Sequence, residues 1–135
     1  MIKITQGQAN TVVLTLTERA TLDTPTFLFH FKSLNTHKNK YFLAADTSSY
    51  TYRYNEFSIT ESSSEDVLNG TVELDTPGEW LYWVYEQSST TNLDPTQADN
   101  AEALETGLVN VLDPSGDLPV VVERRNSGVT YKMRE

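Results

Sequence analysis

Residues 79–87, Glu-Trp-Leu-Tyr-Trp-Val-Tyr-Glu-Gln, constrain the fold of this chain more than any other stretch. They contain both tryptophans of the chain, and between the polar ends every residue except Leu81 is aromatic or β-branched, which predicts a β-strand. Side chains alternate along a strand, so two apolar sets would lie on opposite faces: Leu81, Trp83 and Tyr85 against Trp80, Tyr82 and Val84. Such a strand is either central and covered on both sides, or has one face in the core and the other under a loop or a partner chain.

Short alternating segments separated by turn signals flank this strand. Before it they are residues 1–5, 11–18, 27–32, 41–45, 56–61 and 71–74, and after it residues 107–112, 120–124 and 129–133. Nine to ten short strands without an amphipathic helix predict an all-β fold. We therefore expect residues 1–135 to form a single-domain antiparallel β-sandwich, Ig-like or jelly-roll-like, or a flattened barrel.

Two segments after the aromatic strand are distinctive. Residues 88–105 lack a strand pattern and predict a long loop that is functional or mobile, with a helical turn possible over residues 97–104. Residues 119–134 predict a C-terminal hairpin around Asn126-Ser127-Gly128. Residues 119–135 are net positive although the whole chain carries −9. This segment could dock on an acidic neighbour, including a second copy, or its cations could simply keep an exposed ribbon soluble.

Composition excludes several classes of function. The chain has no cysteine, so disulfides, thiolate metal sites and cysteine nucleophiles are ruled out. The net charge of −9 argues against nucleic acid as the main partner. The sequence has no apolar run of bilayer length and no basic-then-apolar start. We expect a soluble protein, made in the cytoplasm, without a membrane partner.

Motifs for nucleophilic or metal chemistry are weak. His30 and His37 have no third ligand at suitable spacing, and His30 is expected to be a surface or interface residue. The serine run at residues 62–64 lacks the Gly-x-Ser-x-Gly elbow and is typical of a solvated loop. No catalytic residue and no cofactor are therefore predicted.

Acidic residues occur in loops rather than in an evident catalytic arrangement. Glu65 with Asp66, or Asp99 with Glu102, could be the carboxylate pair of a glycosidase, but loop acids are common. Asp94, Asp99 and Glu102 could share a calcium ion, although the spacing does not match an EF-hand. Neither pattern is strong enough to predict a site.

Aromatic residues allow two interpretations. One is a platform on which a sugar stacks, as in carbohydrate-binding β-sandwiches, and the other is ordinary core and interface packing, which we favour. The residues concerned are Tyr41, Tyr50, Tyr52, Tyr54, Trp80 and Tyr82.

Several segments, in order, resemble small virion structural proteins of tailed phages that infect Bacteroidetes, including crAss-like phages. The segments are Ile-Thr-Gln-Gly-Gln-Ala-Asn-Thr-Val at 4–12, Leu-Thr-Leu-Thr-Glu at 14–18, Tyr-Arg-Tyr-Asn-Glu-Phe at 52–57, Gly-Glu-Trp at 78–80, Val-Tyr-Glu-Gln at 84–87 and Leu-Glu-Thr-Gly at 104–107. The resemblance implies a non-enzymatic component of the particle, located in the virion and bound to capsid, portal or tail subunits in a multi-copy assembly. Capsid decoration, a head-fibre base and a head–tail connector all remain open.

A subunit of this kind acts through contact, so we expect interface residues among the aromatics and the basic terminal segment. The predicted interface residues are Trp80, Tyr82, Tyr52, Tyr54, Arg124 and Arg125. The alternative is a carbohydrate-binding or adhesin-type β-sandwich module.

Overall fold

The computed structural model describes residues 2–114, which form an all-β fold and confirm the predicted fold class. Within this range there are eight strands and one 3₁₀ turn. The strands are β1 (Ile2–Thr5), β2 (Ala9–Leu14), β3 (Thr26–Ser33), β4 (Asn39–Ala44), β5 (Asn55–Glu61), β6 (Thr71–Val72), β7 (Gly78–Gln87) and β8 (Glu105–Leu112). The predicted hairpin at 119–134, with Arg124 and Arg125, lies outside the described residues.

Two sheets make up the fold. The larger has the order β1-β8-β7-β3-β4, and the smaller has the order β2-β5-β6. The aromatic strand β7 occupies the middle of the five-stranded sheet, flanked by β8 and β3 in antiparallel register. This position confirms that residues 79–87 form a central strand.

Two strand pairings are parallel, which the antiparallel expectation did not include. β1 pairs with β8, and β5 pairs with β6, whereas the other pairings between strands are antiparallel. Parallel neighbours need a long connection instead of a tight hairpin. Between β1 and β8 that connection is most of the domain, and turn signals between adjacent segments do not reveal such a distant pairing.

The core lies between the two sheets. Phe27, Phe29 and Phe31 of β3 are buried on its inner face, as their alternation predicts. Phe29 stacks on Phe42 of β4 at 5.2 Å and meets Phe57 of β5 edge-to-face at 5.0 Å. Edge-to-face and offset rings stabilise beyond their buried area. These rings join the large sheet to the small one. On the opposite face of the large sheet Leu28 and Leu43 are buried as well, apart from this cluster.

Buried polar side chains tie loops to the sheets. At the end of β7 the Glu86 carboxylate accepts hydrogen bonds from the backbone amides of Thr21 and Leu22, at 2.9 Å each. Its neighbour Gln87 donates to the carbonyls of Ser89 and Asn92. A buried polar group needs such partners, and these partners fix the loops on either side of the sheet end.

Part of the long loop takes a different form from the expected one. The helical turn lies at Pro95–Gln97 rather than within residues 97–104. Asp94 caps it by accepting from the Thr96 amide at 3.0 Å, and Pro95 stands at the first position, where its missing N–H costs nothing. The Asp-Pro pair therefore determines where the turn begins.

Candidate interaction surface

The inner face of β7 belongs to the core. Trp80 is fully buried and Tyr82 is 4% exposed. The Trp80 indole N–H donates to the Thr76 carbonyl at 2.8 Å, and the Tyr82 hydroxyl donates to Glu105 at 2.5 Å. Burial, reinforced by that carboxylate, raises the pKa of Tyr82 well above its usual value. Neither side chain is available at the surface, which corrects their assignment to an interface: the apolar partner that they need is the small sheet.

The other face of β7 is exposed in part. Leu81, Trp83 and Tyr85 are half-buried there, and the register sets His30 of β3 beside Trp83 and Tyr41 of β4 beside His30. We call these five residues the outer aromatic face. In residues 2–114 the small sheet packs on the opposite side, so no second sheet covers this one.

Three rings of the outer aromatic face form a continuous row across three strands. The His30 ring stacks on Tyr41 with centroids 4.5 Å apart and on Trp83 with centroids 4.7 Å apart, at interplanar angles of 20° and 24°. These distances match the spacing of about 4.8 Å between neighbouring strands. The stack therefore runs across the sheet, and the ring planes stand upright on it. The row presents ring edges outward, because both faces of His30 and one face each of Tyr41 and Trp83 are occupied by a neighbouring ring.

His30 lies at the centre of this row and is held in place. Its Nε2 is 2.8 Å from Oδ1 of Asn39 on β4. Partial burial lowers the pKa of His30, the positive charge of Lys32 lowers it further, and the Asn39 hydrogen bond offsets part of the effect. The lowered pKa of His30 favours the neutral imidazole over the charged one.

Charged side chains of both signs border the outer aromatic face. Lys32 is the direct cross-strand partner of Leu81, and Glu79 lies two residues before Leu81 on β7. The ion pairs found in residues 2–114 lie elsewhere, between Lys38 and Asp75 and between Lys40 and Glu65. Within residues 2–114 neither Lys32 nor Glu79 belongs to one of these ion pairs.

The tyrosine loop is a separate exposed feature. Tyr52 is 88% exposed and Tyr50 is 62% exposed, whereas Tyr54 is half-buried with its ring 6.5 Å from that of Tyr50. Next to this loop is a cleft of about 240 Å³, lined by Thr17, Ala20, Leu22, Asp23, Thr24, Pro25, Phe27, Asp46, Thr51 and Asn55. The structure thus separates the predicted interface residues: Tyr52 and Tyr54 lie on this loop, away from the buried Trp80 and Tyr82.

Three of the acidic residues considered as ligands or catalysts, Asp94, Asp99 and Glu65, accept hydrogen bonds within the fold. Asp94 caps the 3₁₀ turn, and Asp99 accepts from the backbone amide of Ser88 at 2.9 Å. Glu65 accepts from Lys40 and from the backbone amide of Glu73, and the latter bond does most to lower its pKa. In the described part of the chain no three histidine or acidic residues are grouped as a metal site would require.

No helix in residues 2–114 has the length and apolar character needed to cross a bilayer.

Comparisons with known proteins add little. The sequence matches no protein-family model and no curated protein. Among solved structures, one match is a crystal structure of a candidate glycoside hydrolase from Bacteroides vulgatus, with 8% sequence identity and a TM-score of 0.44. The alignment covers 84% of this chain but only 16% of that one. A likeness this distant carries no argument about function.

Proposed function

We propose that the protein is a non-enzymatic structural subunit of a phage virion and that it acts through protein–protein contacts. The observation that supports this proposal is the outer aromatic face. Aromatic residues are enriched at protein interfaces, where they supply large contact area at low entropic cost. Here they lie on a rigid central strand and its neighbours, so the surface needs no rearrangement before binding.

The resemblance of the sequence to small phage virion proteins gives the proposal its biological setting. A virion subunit binds capsid, portal or tail proteins in many copies. The curled five-stranded sheet offers a preformed outer surface for such contacts, because its aromatic side chains are held by strand pairing before any partner binds.

Carbohydrate binding is the second candidate, and the tyrosine loop favours it. Tyr52 offers an exposed ring face beside a cleft lined with hydroxyl and carboxylate groups. The ring row on the large sheet does not help, because a sugar stacks on ring faces and this row presents edges. Binding on a glycan array that disappears in Tyr52→Ala would support this candidate, and silence of the array would remove it.

Mass spectrometry of purified particles from the encoding genome tests the leading proposal. We expect the protein to be present in multiple copies per particle. Particles grown with Trp83→Arg should lose the subunit, because an arginine in the ring row must give up its hydration when the face is covered. Val13→Arg is the matched control, since Val13 is 57% exposed on the other sheet and should be incorporated normally. Absence of the wild-type protein from particles would contradict the proposal.

A further inference from the structure

We propose that the cleft beside the tyrosine loop binds a primary ammonium group on a short aliphatic chain, either a free alkylamine or the side chain of a lysine. None of the residues that line this cleft belongs to the outer aromatic face. The inference therefore goes beyond the proposed function, and either of the two can fail without the other. Three properties of the cleft support it: walls that are fixed before binding, polar groups that mostly accept hydrogen bonds, and an apolar part.

The walls of the cleft are held by hydrogen bonds to buried side chains. Asn55, which is 1% exposed, accepts from the backbone amides of Leu16 and Thr17 at 2.6 and 3.2 Å. The fully buried Glu86 accepts from the backbone amide of Leu22 at 2.9 Å. Thr17, Leu22 and Asn55 all line the cleft. Because these segments are already ordered, a ligand loses little binding energy to arranging them.

Asp46 contributes a carboxylate whose orientation is fixed. Its Oδ1 accepts from the backbone amides of Ser48 and Glu56 at 2.9 and 3.0 Å. Its Oδ2 accepts from Nδ2 of Asn55 at 2.6 Å. A carboxylate oxygen can accept two hydrogen bonds, so Oδ2 keeps room for one further donor. Asn55 has no such room, because its oxygen and its amide group both serve partners within the fold.

The other polar groups of the cleft favour a ligand with donors and a positive charge. Asp23 adds an exposed carboxylate, and Thr24 and Thr51 add hydroxyl groups. No lysine, arginine or histidine from residues 2–114 lines the cleft, and Asp23 and Asp46 take no part in the ion pairs of that range. An ammonium group brings three donors and the opposite charge, whereas a phosphate or carboxylate would be repelled.

The apolar part of the cleft favours an aliphatic chain beside the charge. It consists of Ala20, Leu22, Pro25 and Phe27, of which Phe27 is 4% exposed. Lysine side chains pack their methylene groups on such surfaces and keep the ammonium group at a polar border. The cleft volume of about 240 Å³ is below the roughly 300–1,000 Å³ of sites for drug-sized ligands. It therefore suits a ligand of few non-hydrogen atoms.

NMR titration of the ¹⁵N-labelled full chain with n-pentylammonium chloride, at pH 7 and constant ionic strength, tests the site. We expect saturable shifts, largest for the backbone amides of Thr24, Asp46 and Thr51, with a Kd of about 1 mM because the ligand is small. n-Pentanol has the same chain without the charge and should bind at least about tenfold more weakly. Ammonium chloride has the charge without the chain and should give no saturable shift.

A pair of variants tests the role of the charge. Asp23→Asn removes one carboxylate of the cleft and leaves the hydrogen bonds of Asp46 intact, so it should weaken n-pentylammonium binding about fivefold or more. Glu102→Gln is the matched control, since it removes an exposed carboxylate that does not line the cleft. Its affinity for n-pentylammonium should equal that of the wild type.

A titration with N-acetyl-lysine methylamide distinguishes the two sources of the ammonium group. An affinity similar to that of n-pentylammonium would show that a lysine side chain of another protein can enter the cleft. A much weaker response would identify a free alkylamine as the ligand.

Three results would overturn this inference: no saturable shift with n-pentylammonium, equal affinity for n-pentanol, or unchanged affinity in Asp23→Asn. Saturation by methyl glucoside but not by the amine would also overturn it and would assign the cleft to carbohydrate binding, the second candidate function. None of these results bears on incorporation of the protein into particles, which tests the leading proposal separately.

Discussion

At the scale of single residues, polar side chains inside the fold determine where the loops lie. Asn55 is 1% exposed; its Oδ1 accepts from the Leu16 amide at 2.6 Å, and its Nδ2 donates to Asp46 at 2.6 Å. Glu86 is fully buried and accepts from the loop of Thr21 and Leu22. Such residues do not follow from hydrophobic patterning, because a polar residue at a strand end normally marks exposure. The backbone amides of Leu16 and Thr21, from which they accept, lie about forty and sixty-five positions away, and only the folded chain reveals these partners.

Glu86→Ala should destabilise the fold by about 1–3 kcal/mol, because two partly buried amides lose a charged acceptor. Burial alone would raise the pKa of Glu86, but the hydrogen bonds from Leu22, Thr21 and Asn100 lower it on balance. A lowered folded-state pKa stabilises the fold above the ordinary glutamate pKa of about 4.3, and this contribution is lost as the pH falls below that value. Urea unfolding between pH 7 and pH 3 measures both effects.

Glu86→Gln is the matched variant for the pH effect. It keeps one carbonyl oxygen for the two amides and should cost about 1 kcal/mol at pH 7. The difference in unfolding free energy between wild type and variant should shrink towards pH 3. A constant difference across this range would show that the Glu86 charge does not stabilise the fold.

Asn55→Asp should destabilise the fold by about 2–4 kcal/mol at pH 7, because a carboxylate replaces a donor that lies 2.6 Å from Asp46. Protonation of either acid relieves the repulsion, so part of the loss should be recovered as the pH falls to about 4. Asn55→Ala removes the hydrogen bonds without adding charge and should show no such recovery. Thermal unfolding at pH 7 and at about pH 4 is the measurement. Equal melting temperatures of the aspartate variant and the wild type at pH 7 would contradict this account.

At the scale of elements, the positions of the strands follow well from the sequence. Which face of a strand points to the core does not always follow from it. The alternation in β3 predicts a phenylalanine core face, and β3 buries it. In β7 both faces are apolar, so alternation alone cannot tell that Trp80 points inward and Trp83 outward. That choice depends on the register with β3, which sets Phe29 beside Val84 on the core side. The ring row has the same origin, since His30 and Tyr41 join Trp83 only through pairing between strands.

Contact between β7 and β8 depends on a glycine. A methyl group at Gly107 would lie 2.8 Å from Cε1 of Tyr82, inside the closest normal approach. Gly107→Ala should therefore push the buried Tyr82 ring aside and cost about 1–3 kcal/mol. Thr106→Ala, next to it and exposed, should change stability by less than about 0.5 kcal/mol in dilute protein. Equal melting temperatures for the two variants would contradict this packing.

The ring row should give the fold a pH dependence near neutrality. The lowered pKa of His30 means that, as the pH falls below about 6.5, the unfolded chain takes up a proton before the folded chain does. Stability should decline slightly over this range, by less than about 1 kcal/mol, because the ring is half-exposed and screened by solvent. His30→Phe should abolish this part of the decline, while Tyr41→Phe, which keeps the histidine, should retain it. Chemical unfolding at pH 7.5 and pH 5.5 is the measurement.

At the scale of the whole molecule, the all-β class follows from the many short alternating segments and the turn signals between them. The parallel pairing of β1 with β8 does not, because the two strands lie at opposite ends of the described chain and no local signal joins them. The exposure of the aromatic residues could be predicted only in part, for the same reason. Aromatic content identifies candidates, but burial places Trp80 and Tyr82 in the core, whereas Trp83, Tyr85 and Leu81 are half-buried on the outer aromatic face.

Residue-resolved hydroxyl-radical footprinting, with the protein free at low concentration and then assembled in purified particles, tests the central claim most directly. If the outer aromatic face is the contact surface, oxidation of Trp83, Tyr85 and Tyr41 should fall several-fold on assembly, while the exposed Tyr52 should react as before. Unchanged oxidation of Trp83 and Tyr85, together with protection of Tyr52, would contradict the account and shift the contact to the tyrosine loop.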